Sequence, residues 1–399
     1  MKRRGSDSDI GKALHRRTRS SAAALSITYT RERRSSRQST HTSDTQTSKT
    51  TTVQTYRLVN LRASGVYIDQ SVALPSGSDE YVRQILGIAF WEDQVPAPNE
   101  LGMQLLFSEL VDEFATESQR LASKCALEAD WQICLFNVVK KMTQRLGGVL
   151  ETNVSEKVWN SHLKPKRLVR QQEPPQANTP NIDPSLAMET DADGSEVTPA
   201  SPHSLSTMST EIASMYHITT PKPDMTVGLA HQAFTERHQN LLYDYHACKL
   251  ILSDPHAAQI GLRFPFMIVE LKANVTLTAA QNQAAVGGAC ILKIQEDLAR
   301  QAARSPKFRP EQVSPLPTLA ELSPALALCF SIVTEGPTHE LWVHFKLNDN
   351  FHMLNLKSWR TTIGGHAKEF INCLGRIIEW GKGDFKEHVV EMLDQVPSI

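Results

Sequence analysis

The stretch Phe264-Pro265-Phe266-Met267-Ile268-Val269-Glu270-Leu271-Lys272-Ala273 decides how the rest of this chain is read. Its short apolar run reads as a buried strand. Side chains two residues apart in a strand leave on the same face, so Glu270 and Lys272 are expected to project together into one site. A carboxylate beside an ammonium at the end of a buried strand is costly unless a partner or a metal compensates it. Upstream, Pro223-Asp224 is followed by Met-Thr-Val-Gly-Leu, which reads as a second strand beginning on an acid. Forty-five residues separate Asp224 from Glu270, and together the two strands spell Asp, then Glu-x-Lys.

Working outward, His231 to Ser253 has helical spacing, with Leu241, Leu242, Tyr245, Cys248 and Leu252 on one side, so a helix separates the two strands. After Lys272 a long helix is expected from about Thr278 to Ala303. Its inner stripe of Ala280, Ala284, Gly287, Gly288 and Ile291 is small enough to lie close against a sheet. Glycine costs about 1 kcal/mol relative to alanine inside a helix, so Gly287 and Gly288 are read as serving close packing. Ala325 to Thr334 and Leu341 to Phe345 read as two strands joined across Glu335-Gly-Pro-Thr338. Helices at about Ala367 to Trp380 and Phe385 to Leu393 finish the chain.

Toward the start, order is expected from Tyr56. Asn99 to Leu146 has helical spacing, first with Leu105, Leu106, Leu110, Val111 and Phe114 as a stripe. A second helix follows with Leu127, Trp131, Leu135, Val138 and Met142, which leaves Glu128 at the border of its buried face. This order of elements predicts an α/β (α+β) domain with a mixed β-sheet flanked by helices, over residues 54–399. Two segments lack the apolar content to offset the entropy of ordering: residues 1–53, rich in Ser, Thr and Arg, and an insertion at about 165–208, rich in Pro, Gln, Asn, Ser and Asp.

At 399 residues the chain can bury a substantial core. The formal net charge of -1 conceals an asymmetry, because residues 1–50 carry twelve Lys/Arg against four Asp/Glu. The clusters His15-Arg-Arg-Thr-Arg19 and Arg31-Glu-Arg-Arg34 fit a nuclear-import signal or a loose phosphate contact, and equally a solvated tail. They place the protein in the nucleus or the cytoplasm. The start has no apolar h-region, and the longest apolar run, Ala325 to Val333, is too short to span a bilayer, so no membrane is expected. Six cysteines without metal-ligand spacing read as buried thiols in a reducing compartment. His256, His344 and His366 read as core or surface histidines. The absence of GxxxxGK[ST] and of GxGxxG argues against a nucleotide-dependent enzyme.

An ordered set of short motifs runs from Thr55 to Trp380: Thr55-Tyr-Arg57, Asn60-Leu61, Glu128-x-x-Trp131, Pro223-Asp224, Phe264-Pro-Phe266, Val269-Glu-Leu-Lys272, Ala280-Gln-Asn-Gln-Ala-Ala-Val286 and Ile378-Glu-Trp380. This set resembles the PD-(D/E)XK nuclease superfamily, and within it the nuclease-like domains of fungal proteins. The resemblance implies a restriction-endonuclease-like core with additional N-terminal and C-terminal helices. It also implies Mg2+, with Mn2+ as a substitute, and nucleic acid as partner, DNA rather than RNA. Magnesium is usually held by one or two carboxylates plus waters and substrate phosphate oxygens. Asp224 and Glu270 supply that pair, and in the superfamily the lysine, here Lys272, stabilises developing charge or orients the attacking water. The resemblance adds Glu128 as a further carboxylate. It adds Gln281 or Gln283 as a polar contact to metal-bound water or substrate, although either glutamine also suits a solvent-facing helix start. The alternative is a nuclease-derived module that binds nucleic acid or protein without cutting.

Overall fold

In a computed structural model, which describes residues 52–75, 77–87, 90, 98–154, 157–166, 217–272, 276–304 and 323–399, the Glu270 stretch is the strand β4, Leu262–Lys272. Its first ten residues are buried and Lys272 reaches partly into solvent. The expected tail, apart from residues 52 and 53, and the expected insertion, apart from 165 and 166, lie outside the described residues.

β4 is one of seven strands in an open mixed sheet of order β1-β7-β6-β5-β4-β3-β2. The others are β1 (Val66–Ile68), β2 (Leu150–Asn153), β3 (Met225–Ala230), β5 (Leu328–Glu335), β6 (Thr338–Leu347) and β7 (Asn350–Arg360). β4 lies antiparallel to β3 and parallel to β5, and β1 lies parallel to β7; the remaining neighbours are antiparallel. The parallel β4/β5 pair needs a crossover, since a hairpin cannot join parallel strands. The long helix Leu277–Ala302 lies in that connection.

The helices are α1 (Ser78–Leu86), α2 (Pro98–Ser123), α3 (Glu128–Arg145), α4 (Glu236–Ala247), α5 (Leu277–Ala302), α6 (His366–Trp380) and α7 (Lys386–Gln395). A short helical segment, Val53–Thr55 running into a π-helical Tyr56–Leu61, precedes β1. One sheet face is covered by α2, α3 and α6: the Phe114 ring contacts His339 and Phe370, and Trp131 meets His339 edge-on. The other face is covered by α5, and its small stripe explains how closely. A Cβ built on Gly287 would lie 2.5 Å from Ile268 Cδ1, and one on Gly288 would lie 2.1 Å from His344 Nδ1. Ala280, Ala284 and Ile291 of the same stripe are fully buried.

Several expectations change. The polar strand β7 was not foreseen; its burial is mostly partial, so no strong apolar alternation marks it. Its turn is legible in retrospect. Asn348 and Asp349 both have positive φ, 49° and 61°, the pattern of a tight hairpin turn, and both residue types tolerate it. β2, four residues at the sheet edge, was also missed. Among the described side chains of α2, Phe107, Leu110, Phe114, Ser118 and Leu121 are buried, whereas Leu106 is exposed and the Leu105 side chain lies outside the description. Leu127 precedes α3 and is exposed. Cys134, Cys290, Cys329 and Cys373 are buried free thiols as expected, but Cys125 and Cys248 are exposed because each lies just past a helix end.

Candidate active site

Four charged side chains meet at the end of β4. The β3/β4 register runs Val227↔Met267, Thr226↔Ile268, Met225↔Val269, and one further step sets Asp224 across from Glu270. Asp224 Oδ2 accepts the Leu271 N–H at 2.7 Å, which ties the start of β3 to β4 through a side chain. Gln132 of α3 donates to the Asp224 backbone oxygen at 3.2 Å. The Lys272 ammonium lies 3.3 Å from Glu128 Oε1 and 3.7 Å from Asp224 Oδ2, and it donates to its own neighbour's carbonyl, Leu271 O, at 2.6 Å. Glu128 reaches this point because it opens α3, whose first turn faces the sheet end through Trp131.

Glu270 differs from the other three. It is 1 % exposed, and its Oε1 is buried with no hydrogen-bond partner among the described residues. Burial pushes its carboxyl well above the usual range, and the neighbouring Asp224 charge pushes the same way, with Lys272 opposing. Asp224 is also raised, chiefly by burial, against the lowering effect of the Leu271 N–H and of Lys272. A buried carboxyl without a donor is costly, and such groups are concentrated at functional sites.

The even-numbered face of β4, with Ile268 under Gly287, is the face that α5 covers, so Glu270 lies beneath the first turns of α5. Sheet register continues the row from Glu270 to Val333 to Glu340, about 10 Å across two strand spacings. Gln281 is directed to the far end of that row. It accepts from Arg57 Nη2 at 2.7 Å and donates to Glu340 Oε2 at 2.8 Å, so its amide is held at both ends. Gln283 is exposed. Asn282, between them, is buried, accepting from Arg57 Nε at 2.8 Å and donating to Val53 O at 3.0 Å. Sequence spacing gave no signal for Asn282, Gln132 or Glu340. Arg57 stood in a motif without a role.

All three histidines read as scaffold have partners that spacing did not reveal. His256 Nδ1 lies 2.8 Å from the buried Asp254 Oδ1, and His344 Nε2 lies 2.8 Å from Ser331 Oγ. Both imidazoles are buried, and burial brings His344 down to about 3. His366 Nδ1 accepts the Arg360 N–H at 3.2 Å. These are separate pairs in the scaffold.

Among the described residues no group of three or more His, Cys, Asp or Glu side chains is arranged to hold a metal. Magnesium does not require three protein ligands, since one or two carboxylates with waters suffice. Asp224 and Glu270 fit that need, because Glu270 Oε1 is an orphaned acceptor that a cation would satisfy. No helix among the described residues is long and apolar enough to cross a membrane. A family model described as a domain of unknown function, DUF7924, matches residues 158–391, more than half of the chain. Searches of curated proteins and of solved structures gave no match.

Proposed function

The chain belongs to the DUF7924 family, and we propose for it a magnesium-dependent nuclease that hydrolyses phosphodiester bonds of DNA, in preference to RNA, on a restriction-endonuclease-like core. The observation that carries this reading is the unpartnered, buried Glu270 Oε1 beside Asp224 and Lys272. A carboxyl so placed has no structural partner to explain it. Asp224 and Glu270 would hold the cation, with Glu128 at the rim and Mn2+ able to substitute. When bound, the cation supplies Lewis-acid polarisation of the phosphoryl group and a water of lowered pKa. Lys272 stabilises the negative charge that develops on the phosphoryl oxygens, an effect strengthened by its half-buried setting. Asp224 is kept in place by the Leu271 N–H, so its carboxylate needs no reorganisation when substrate arrives.

A second reading, a nuclease-derived module that binds without cutting, has one observation in its favour. The Gln281 amide is engaged at both ends by Arg57 and Glu340, which leaves it committed to the scaffold. Incubating the purified protein with plasmid and with single-stranded RNA, in Mg2+, Mn2+ or EDTA, separates the two readings. Metal-dependent cleavage that is lost in Glu270→Gln is the expected result. A protein that shifts plasmid on a gel but leaves it intact with either metal would overturn the nuclease reading. With nucleic acid as substrate, the proposed location is the nucleus or the cytoplasm.

A further inference from the structure

Away from the carboxylates, an ammonium and an imidazole are held together with no acid between them. Lys164 Nζ donates to His217 Nε2 at 2.9 Å and to Ile218 O at 2.9 Å. Among the described residues neither Lys164 nor His217 has a carboxylate within ion-pair distance. Burial, and for His217 the Lys164 charge next, lower both groups from their ordinary values.

The pair is built into the scaffold. Lys164 follows the 3-10 turn Ser161–Leu163, whose Leu163 is fully buried and whose start is capped by Asn160 Oδ1. That segment is tied to the other by the Trp159 N–H donating to Pro221 O at 2.9 Å. His217 is fixed through its backbone, because the buried Asn60 donates to its carbonyl at 3.0 Å. Two residues on, Thr219 N–H donates to Tyr56 Oη at 2.9 Å. Such fixing lowers the entropy lost when a ligand binds.

The donor count points to the ligand. An ammonium has three N–H groups, and Lys164 uses two of them. With Nε2 accepting, the neutral imidazole carries its proton on Nδ1, at an exposed position. Lys166, two residues beyond Lys164, is exposed as well. The remaining ammonium N–H, the imidazole Nδ1–H and a positive charge with no carboxylate in ion-pair distance among the described residues suit an anion with several oxygens, and phosphate matches these needs.

We propose that Lys164 and His217 form a phosphate-binding site outside the catalytic carboxylates, which takes a backbone phosphate of the nucleic acid. The source of the phosphate rests on the nuclease reading; the Lys164–His217 pair does not. From His217 the chain reaches Asp224 in seven residues, at most about 25 Å when fully extended. Along a duplex strand rising about 3.4 Å per nucleotide, that is within about seven nucleotides of the scissile bond.

The test uses the full chain in EDTA, as wild type, as Lys164→Met/His217→Gln and as Lys164→Arg. Duplex DNA binding is followed by anisotropy across salt, and inorganic phosphate binding by its effect on Tm against chloride of equal ionic strength. The double variant should flatten the slope of log affinity against log salt by about 0.9 for each phosphate it no longer neutralises, and Lys164→Arg should keep the wild-type slope. Phosphate should raise the Tm of wild type and of Lys164→Arg but not that of the double variant. A response to inorganic phosphate with an unchanged DNA slope supports the site and assigns it free phosphate. If the double variant does not fold, His217→Gln alone is compared, with the same expected direction. Unchanged slope and unchanged phosphate response in a folded variant overturn the proposal. Cleavage is assayed separately, so an altered slope in a protein that never cuts DNA would leave this site standing and remove the nuclease reading.

Discussion

Leu271 and Asp224 are joined by a 2.7 Å hydrogen bond from the Leu271 N–H to Asp224 Oδ2. The residue between Glu270 and Lys272 thus holds a carboxylate that lies 47 positions away along the chain. The antiparallel β3/β4 ladder brings the two strands together across the His231 to Ser253 excursion, and this bond extends the pairing by a side chain to the site.

That geometry sets a first expectation for activity. Asp224→Asn keeps an acceptor for Leu271 N–H, so the variant should fold with near wild-type Tm while losing charge at the site. Glu270→Gln and Lys272→Ala should also fold. Cleavage by each should drop on the order of 100-fold to 1000-fold, the usual cost of losing one charge-stabilising group. Steady-state kcat/KM on a labelled duplex, alongside circular dichroism, checks this; wild-type turnover in any of the three would remove that residue from the mechanism.

The raised Glu270 carboxyl makes stability depend on pH with a definite sign. In the folded protein Glu270 keeps its proton above 4.5, where the unfolded chain has released it. The native state then binds more protons, so stability is full below about pH 4.5 and declines as pH rises toward the folded value. Asp224, raised for the same main reason, adds to this decline. Urea melts of wild type between pH 5 and 8 should show the loss, and Glu270→Gln should flatten it. Added Mg2+ should restore stability at pH 8 in wild type and not in Glu270→Gln, because a cation replaces the proton that Glu270 gives up.

Two neighbouring glycines of α5 should respond differently to the same substitution. In Gly288→Ala the new methyl meets the His344 ring at 2.1 Å, and that ring is fixed by Ser331. In Gly287→Ala it meets Ile268 Cδ1 at 2.5 Å, the far end of a side chain that can rotate away. Overpacking costs about 1–3 kcal/mol. Gly288→Ala should lie at or above the top of that range and Gly287→Ala near the bottom, as read by denaturant midpoints. Equal losses would mean that the ring moves as easily as the methyl.

Arg57 secures the first turn of α5 through Thr278 O, Gln281 and Asn282. Hydrogen bonds to a charged group contribute about 1.5–3 kcal/mol, so Arg57→Ala should cost about 2 kcal/mol and loosen that turn selectively. Hydrogen exchange should rise at the first turn of α5 and stay unchanged at its C-terminal end. Uniform exchange along α5 would show that the clamp acts on the whole helix.

Local patterns along the chain were enough to identify the strand β4, the strand opening after Asp224, the long small-faced α5 and the α/β order of elements. Each of these rests on a local pattern: an unbroken apolar run, a period near 3.6, or glycines where a helix must approach closely. The same patterns brought Glu270, Lys272 and Asp224 forward as a group. Which partners they meet is set by the packing of distant elements. Glu128 reaches Lys272 across 144 residues of chain, and Gln281 turns toward Arg57 and Glu340. Register between distant strands, and the burial that leaves Glu270 Oε1 without a donor, depend on how whole elements pack. A one-dimensional period records which face a residue is on, and it carries no information about what another element places opposite that face.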